Sequence, residues 1–171
     1  MRNRLWYELE QVKFQEIYAA KLIGHYNFLL NFFNMVIAMF SSIGILGWKF
    51  WDNIPLVACI IVFTISLLKL ILPNIIPSEK QIGKYIKIAS FYSDFLLKLE
   101  QIWFDFEEKR INEKELQDKF YELKKSELEI EKMINEIHKK PNRYIAKKAK
   151  KEKEIYFNNI FYNNFNTQNN E

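Results

Sequence analysis

Residues 22–48 read LIGHYNFLLNFFNMVIAMFSSIGILGW. These 27 residues include no Asp, Glu, Lys or Arg, and as a helix rising about 1.5 Å per residue they would extend roughly 40 Å. The hydrocarbon core of a bilayer is only about 30 Å thick. The stretch therefore predicts a transmembrane helix, and it decides the fold expected for the whole chain of 171 residues.

A second apolar run lies a few residues further along the chain. Residues 54–76 read IPLVACIIVFTISLLKLILPNII and carry one charge, Lys69. Burying both runs inside a soluble protein would be difficult, because so much of the remaining chain is charged. A cleaved signal sequence has an apolar region of about 7–15 residues near its start, whereas the first run is longer and begins after 21 residues. We therefore expect a hairpin of two membrane-spanning helices.

The charges that flank the two runs predict the orientation of this hairpin. Cytoplasmic loops carry an excess of Lys and Arg, and the loop between the runs has only Lys49. The basic residues nearest the hairpin are Arg2, Arg4, Lys13 and Lys21 before it and Lys80, Lys84 and Lys87 after it. Both termini are therefore expected in the cytoplasm.

Three asparagines in the first run lie on one face of the predicted helix. Their spacings of 4 and 3 residues place the amides on a narrow stripe that lipid does not solvate. The full stripe, which is the candidate pore lining, consists of Asn27, Asn31, Asn34, Ala38, Ser41 and Ile45. The amides either hydrogen-bond between helices or line a hydrated path, and a closed pore would do both. A pore needs several copies of one hairpin, and we expect four.

The charge in the second run has two interpretations. Lys69 lies seven residues before the end of the run, and a lysine near the end of a span often extends its ammonium to the headgroups. In an oligomer, a ring of Lys69 would instead surround the cytoplasmic mouth of the pore and favour anions.

The rest of the chain predicts a cytoplasmic helical part. Residues 1–21 form an amphipathic helix that either packs on later helices or lies on the membrane surface. A helical domain over 78–157 contains helices at 78–110, 113–139 and 142–157, followed by an Asn-rich tail at 158–171. Ser78 and the pair Asn112 and Glu115 mark helix starts, and Pro141 requires a stop. The fold class is therefore an all-α membrane protein with a cytoplasmic helical bundle or coiled coil.

One apolar seam follows the first of these cytoplasmic helices. Its members alternate by 3 and 4 residues in a heptad pattern, which indicates helix packing within or between subunits. We expect them to supply subunit contacts: Ile82, Tyr85, Ala89, Tyr92, Leu96, Leu99, Trp103 and Phe106.

A basic segment follows at residues 139–153. Its eight basic residues and one acidic residue give a net charge of +7, so the remainder of the chain, which totals +4, is slightly acidic. The segment is a solvated helix face, a surface for anionic lipid headgroups, or a site for a phosphate-bearing ligand on which a tyrosine stacks. The candidate ligand residues are Lys139, Lys140, Arg143, Tyr144, Lys147, Lys148, Lys150 and Lys151.

The sequence carries no pattern typical of an enzyme or a metal site. The phosphate-binding, dinucleotide-binding and zinc-protease motifs are absent, and only four glycines occur. His25 and His138 are far apart, and Cys59 is the only cysteine. We therefore expect neither catalysis nor a cofactor or metal.

Two groups of residues carry a resemblance to a known family. They are Trp6-Tyr7-Glu8-Leu9 with Lys13-Phe14 and Tyr18, and Ser41-Ser42-Ile43-Gly44 ahead of Gly47-Trp48. Followed by a helical cytoplasmic tail, this layout resembles the two-transmembrane effectors associated with SMODS and SLOG proteins, the SLATT family, over roughly residues 3–110. The resemblance implies a pore-forming effector of bacterial anti-phage defence that a nucleotide signal controls. In Hailong-type effectors, which look like the nearest functional analogue, a partner nucleotidyltransferase makes an oligonucleotide that controls the channel.

The residues and the resemblance together predict a homo-oligomeric ion channel in the bacterial inner membrane. The first span would line the pore, and a nucleotide or oligonucleotide would gate it through the cytoplasmic helices. The competing hypothesis is a non-conducting membrane anchor or scaffold that recruits a soluble partner. A holin-like lysis protein is a third hypothesis, although holins seldom carry so long a cytoplasmic part.

Overall fold

The structure is a computed structural model that describes residues 1–46, 55–137 and 141–162. Every regular element in these ranges is helical, so the prediction of an all-α protein is confirmed. The elements are α1 (Arg2–Leu46), α2 (Pro55–Ile75), α3 (Glu79–Glu107), α4 (Glu113–Lys125), α5 (Leu128–Ile137), α6 (Arg143–Phe157) and a final π-helical turn (Asn158–Tyr162). The loop at 47–53, which includes Gly47 and Lys49, and the end of the tail at 163–171 lie outside the described residues.

The chain divides into two compact units. Residues 1–22 join the described residues from Gly83 onward in one unit, here called the helical domain. Ile23–Ile82 form the other, here called the apolar unit. The division falls where the charged first part of the sequence gives way to the uncharged run that begins at Leu22.

The first helix joins the amphipathic segment to the first apolar run. We expected an amphipathic helix over 1–21 and a span over 22–48, and α1 is one unbroken helix of 45 residues, Arg2–Leu46. No proline interrupts it, and an internal glycine such as Gly24 costs a helix only about 1 kcal/mol. The charged first part of the sequence and the uncharged run that follows it therefore belong to one continuous helix.

The helices of the helical domain share one hydrophobic core. Each contributes an apolar stripe with spacings of 3 and 4 residues, which is the pattern of a helix with one buried face. The largest fully buried side chains of this core are Leu5, Leu9 and Val12 of α1, Phe95 and Leu99 of α3, Leu116 and Phe120 of α4, and Phe161 of the final turn. The N-terminal helix therefore packs on the later helices, the first of the two arrangements considered above.

Local hydrogen bonds fix the helix starts that the sequence marked. The side-chain oxygen of Asn112 accepts from the backbone N–H of Glu115 at 3.0 Å, and the Glu115 carboxylate accepts from the Asn112 N–H at 2.9 Å. Ser78 makes the equivalent exchange with Gln81 at 3.1 and 3.4 Å. These reciprocal pairs satisfy N–H groups that a helix start leaves without partners.

The helix expected over 113–139 is divided in two. The Ser126 hydroxyl donates to the Leu123 carbonyl at 2.7 Å, and the Ser126 and Glu127 N–H groups reach carbonyls three residues back at 3.1 and 3.2 Å. Such bonds tighten the chain and compete with the helical pattern. The second half begins at Leu128 and ends at Ile137, and residues 138–140, where we predicted the helix end, lie outside the described residues.

Candidate functional site

The asparagine stripe of α1 is exposed in the protomer. Four members of the stripe have exposed side chains: Asn27, Asn31, Asn34 and Ala38. The structure gives the three amides no hydrogen-bond partner among the residues that it describes. Ser41 and Ile45 continue the same stripe, but their side chains lie outside the described part.

A second exposed stripe of α1 is fully apolar. Phe28, Phe32, Met35 and Met39 have the same 4, 3, 4 spacing as the asparagine stripe and are shifted from it by one residue. One residue corresponds to about 100° around a helix. The two exposed stripes are therefore neighbours with opposite solvent preferences.

The remaining face of this part of α1 is half-buried. It consists of Tyr26, Leu29, Leu30, Phe33, Val36, Ile37 and Phe40. From the helical repeat, its centre lies roughly 130° from the centre of the asparagine stripe. This part of α1 thus has one half-buried apolar face, one exposed apolar face and one exposed face with amide side chains.

The second apolar helix has its own half-buried stripe, and two of its hydroxyl groups donate hydrogen bonds within the helix. The stripe consists of Ile61, Ile65, Leu68 and Leu72. Thr64 and Ser66 donate their hydroxyls to carbonyls four residues back at 2.7 and 2.8 Å. Lys69 is exposed beside the stripe. Within the described residues, neither hydroxyl forms a hydrogen bond with the asparagine amides of α1.

The basic segment forms the exposed side of α6. Arg143, Lys147, Lys148, Lys150 and Lys151 are all exposed, whereas Ile145 and Ala149 on the opposite side are buried. Tyr144 is 65% exposed, and the Lys148 ammonium lies 4.6 Å from its ring centre. Lys139 and Lys140 lie outside the described residues. The structure thus brings the predicted cations of α6 together on an accessible helix face.

The apolar seam of α3 is used inside one chain. Tyr92, Leu96, Leu99 and Trp103 are buried in the core of the helical domain, and Tyr85, Ala89 and Phe106 pack against that core. Ile82 is also buried and belongs to the apolar unit. The seam therefore has little surface left for subunit contacts. A heptad pattern alone does not distinguish a partner helix in the same chain from one in another copy.

A charged cluster in the helical domain was not predicted from the sequence. The Lys124 ammonium lies 2.6 Å from a carboxylate oxygen of Glu8 and 2.5 Å from one of Glu127, and both glutamates are buried. The Tyr92 hydroxyl donates to the other Glu127 oxygen at 3.4 Å. The cluster, Glu8, Tyr92, Lys124 and Glu127, joins α1, α3 and α4. The sequence indicates this cluster only through Glu8 and Glu127, each of which interrupts a stripe of apolar residues.

Two members of the cluster, Lys124 and Tyr92, keep their protons near neutral pH. Burial lowers the pKa of Lys124, but hydrogen bonds and attraction from Glu127 and Glu8 outweigh it, so that pKa is raised overall. Burial raises the pKa of Tyr92, and the charge of Glu127 raises it further. Lys124 therefore stays charged and Tyr92 stays a donor.

Removing the cation of this cluster should destabilise the helical domain. Lys124→Met leaves two buried carboxylates facing each other, and we expect a loss of about 2–3 kcal/mol in the free energy of unfolding. That is below the ~3–5 kcal/mol typical of a broken buried pair, because Lys124 is 30% exposed. Urea unfolding of the full-length protein in detergent measures the loss. Lys125→Met, which removes an exposed neighbour, is the matched control, and equal losses for the two variants would contradict the assignment.

The described residues contain no group of three or more metal-binding side chains. Comparisons of the chain with protein-family models, with curated proteins and with solved structures find no match.

Proposed function

We propose that the protein is a homo-oligomeric ion channel whose pore is lined by the asparagine stripe of α1. In this proposal α1 and α2 cross a bacterial inner membrane as a hairpin, with both termini and the helical bundle in the cytoplasm. Four copies enclose the pore. The half-buried stripes of α1 and α2 are the faces that the two spans turn toward each other.

The observation that carries the proposal is the three-faced surface of α1. The bare stripe of Phe28, Phe32, Met35 and Met39 suits lipid, and lipid-facing amides would be costly. The asparagine stripe therefore needs either water or another helix. When several copies turn this stripe toward a common axis, each Asn31 and Asn34 meets its equivalents and a hydrated path.

Two features of the described helices support membrane insertion. Part of α1 is long and apolar enough to cross a bilayer, and α2 contains a shorter apolar stretch, Cys59–Leu72. Only 6% of the most apolar segment of α1 is buried. The core helix of a soluble protein would be mostly buried, so exposure on this scale favours lipid as the surrounding medium.

The exposed cations of α6 support a phosphate-bearing ligand as the gating signal. Lys147, Lys148 and Lys151 are exposed together, and such groups bind phosphate through charge and hydrogen bonds. The resemblance to SLATT effectors favours a nucleotide or oligonucleotide made by a partner nucleotidyltransferase. Such a ligand must bind one state of the channel better than the other. Opening would depolarise the cell and stop phage replication.

Ion flux from proteoliposomes tests the proposal. Full-length protein should release entrapped K⁺ in the presence of at least one probe among ATP, a cyclic dinucleotide and a short oligoadenylate, or conduct alone and be closed by one. Asn31→Leu should reduce the flux at least about tenfold, because it puts an apolar side chain in the hydrated path. Met35→Leu, on the neighbouring lipid-facing stripe, is the control and should conduct normally.

The other outcomes identify the competing functions. If no flux appears under any condition, the channel proposal is wrong and a non-conducting anchor remains. If entrapped dextran of protein size escapes together with K⁺, the protein makes a holin-like hole. If Asn31→Leu and Met35→Leu conduct equally, the asparagine stripe does not line the path.

A further inference from the structure

The helical domain contains a cleft that the proposed channel function does not use. Its volume is about 230 Å³. The wall is formed by Phe14, Gln15, Tyr18, Ala19 and Leu22 of α1, Tyr85 and Ile88 of α3, Ile134 and Ile137 of α5, Pro141, and Ala146 of α6. Most of these side chains are apolar or aromatic. The Tyr18 hydroxyl is already engaged, since it accepts a hydrogen bond from the Asn142 N–H at 3.0 Å.

The size and chemistry of the cleft restrict what it can hold. Pockets for whole drug-sized ligands are usually about 300–1,000 Å³, so this cleft takes part of a molecule rather than a whole dinucleotide. A nucleobase needs polar partners for its ring edges, and Gln15 is one of few polar side chains in the wall. A hydrocarbon chain needs only apolar surface, which this wall supplies.

The cleft lies beside the predicted start of the first span. Leu22, a wall residue, is the first residue of the apolar run. Tyr85 lies in the first turns of α3, shortly after the second run ends. If α1 and α2 cross the bilayer, both residues lie close along the chain to the cytoplasmic membrane surface. A membrane lipid is then the hydrocarbon source nearest to the cleft.

Two cations of α6 lie within one turn of Ala146, a wall residue of the cleft, although neither is part of the wall. Arg143 and Lys150 are three residues before and four residues after Ala146, which places them on the same side of the helix as this wall residue. Both are exposed, and neither forms an ion pair with a residue in the described ranges. Lys21 and Lys84, by contrast, already pair with Glu152 and Glu136 at 2.5 Å. Arg143 and Lys150 therefore have charge available for an anionic headgroup.

We propose that the cleft binds one acyl chain of an anionic phospholipid from the cytoplasmic leaflet, with the lipid phosphate between Arg143 and Lys150. This proposal rests on the membrane insertion of the proposed function. It assigns Phe14, Tyr18, Ile134 and Ala146 to the acyl chain. The same site links α1, α3, α5 and α6, so an anionic lipid stabilises the arrangement of the helical domain.

Photochemical labelling of the full-length protein tests the site. The protein is reconstituted in bilayers that contain phosphatidylglycerol with a diazirine in one acyl chain, irradiated, and mapped by mass spectrometry. Label is expected on peptides that contain Ile134, Ile137 and Ala146, which lie outside the apolar runs. Label on Cys59–Leu72 of α2 reports membrane insertion in the same sample.

Two kinds of variant separate binding from folding. Ala146→Trp fills the cleft and should abolish its label while the label on α2 remains. The double variant Arg143→Gln with Lys150→Gln should reduce the cleft label about tenfold. The matched control is Lys148→Gln with Lys151→Gln, which removes the same charge from positions further round the helix and should leave the label unchanged.

The outcomes distinguish this proposal from the channel. A labelled α2 with an unlabelled cleft overturns the lipid site and leaves membrane insertion standing. An unlabelled α2 overturns membrane insertion and with it both proposals. Equal loss of label in the two double variants, or labelling of the cleft peptides by an azido-adenine nucleotide instead of the lipid, also overturns the lipid site.

Discussion

Replacing Phe161 by alanine is expected to lower the free energy of unfolding by about 3–5 kcal/mol. The side chain is 2% exposed, and its ring centre lies 5.2 Å from the rings of Trp6 and Phe157. The substitution leaves a cavity that these large rings cannot fill without moving. Equilibrium urea unfolding of the full-length protein in detergent, followed by tryptophan emission and circular dichroism, measures the loss.

Phe104→Ala is the matched control for this substitution. Phe104 stacks on Phe161 with ring centres 5.7 Å apart, but it is 43% exposed. Its removal should therefore cost less, about 1 kcal/mol, since much of its surface already meets solvent. If Phe161→Ala lowers the free energy of unfolding no more than Phe104→Ala does, the final turn does not pack in the core of the helical domain.

The features that the sequence predicted well are local ones. The start at Asn112 and the helix predicted over 142–157, observed as Arg143–Phe157, depend on residues within one turn of each other. A capping residue or a short apolar stripe acts on its own neighbours, so its effect can be predicted without the fold.

The features that the sequence did not predict depend on distant partners. Glu8 and Lys124 are 116 positions apart, and neither sequence neighbourhood indicates the other. The same holds for the cleft, whose wall combines Tyr18, Ile134 and Ala146 from three helices. For the α3 seam, spacing predicted burial correctly, but the choice of partner depends on which helices the chain brings together.

The structure allows the asparagine stripe to be tested by comparing two neighbouring residues of α1. Asn34 and Met35 are consecutive and both exposed, yet one belongs to the amide stripe and the other to the apolar stripe. In a channel of the proposed kind, Asn34 faces water and Met35 faces lipid. A thiol reacts with a charged reagent as the thiolate, which requires water. A cysteine at each position therefore reports which side of α1 is hydrated.

The most direct measurement is K⁺ flux through proteoliposomes before and after a cationic methanethiosulfonate reagent is added. Cys59, the only cysteine, is first replaced by alanine, and Asn34→Cys or Met35→Cys is then introduced. We predict that the reagent blocks flux through the Asn34→Cys channel, because a bound cation in a narrow pore repels K⁺, and leaves the Met35→Cys channel unaffected. Equal block at both positions, block only at Met35→Cys, or no block at either would contradict an asparagine-lined pore.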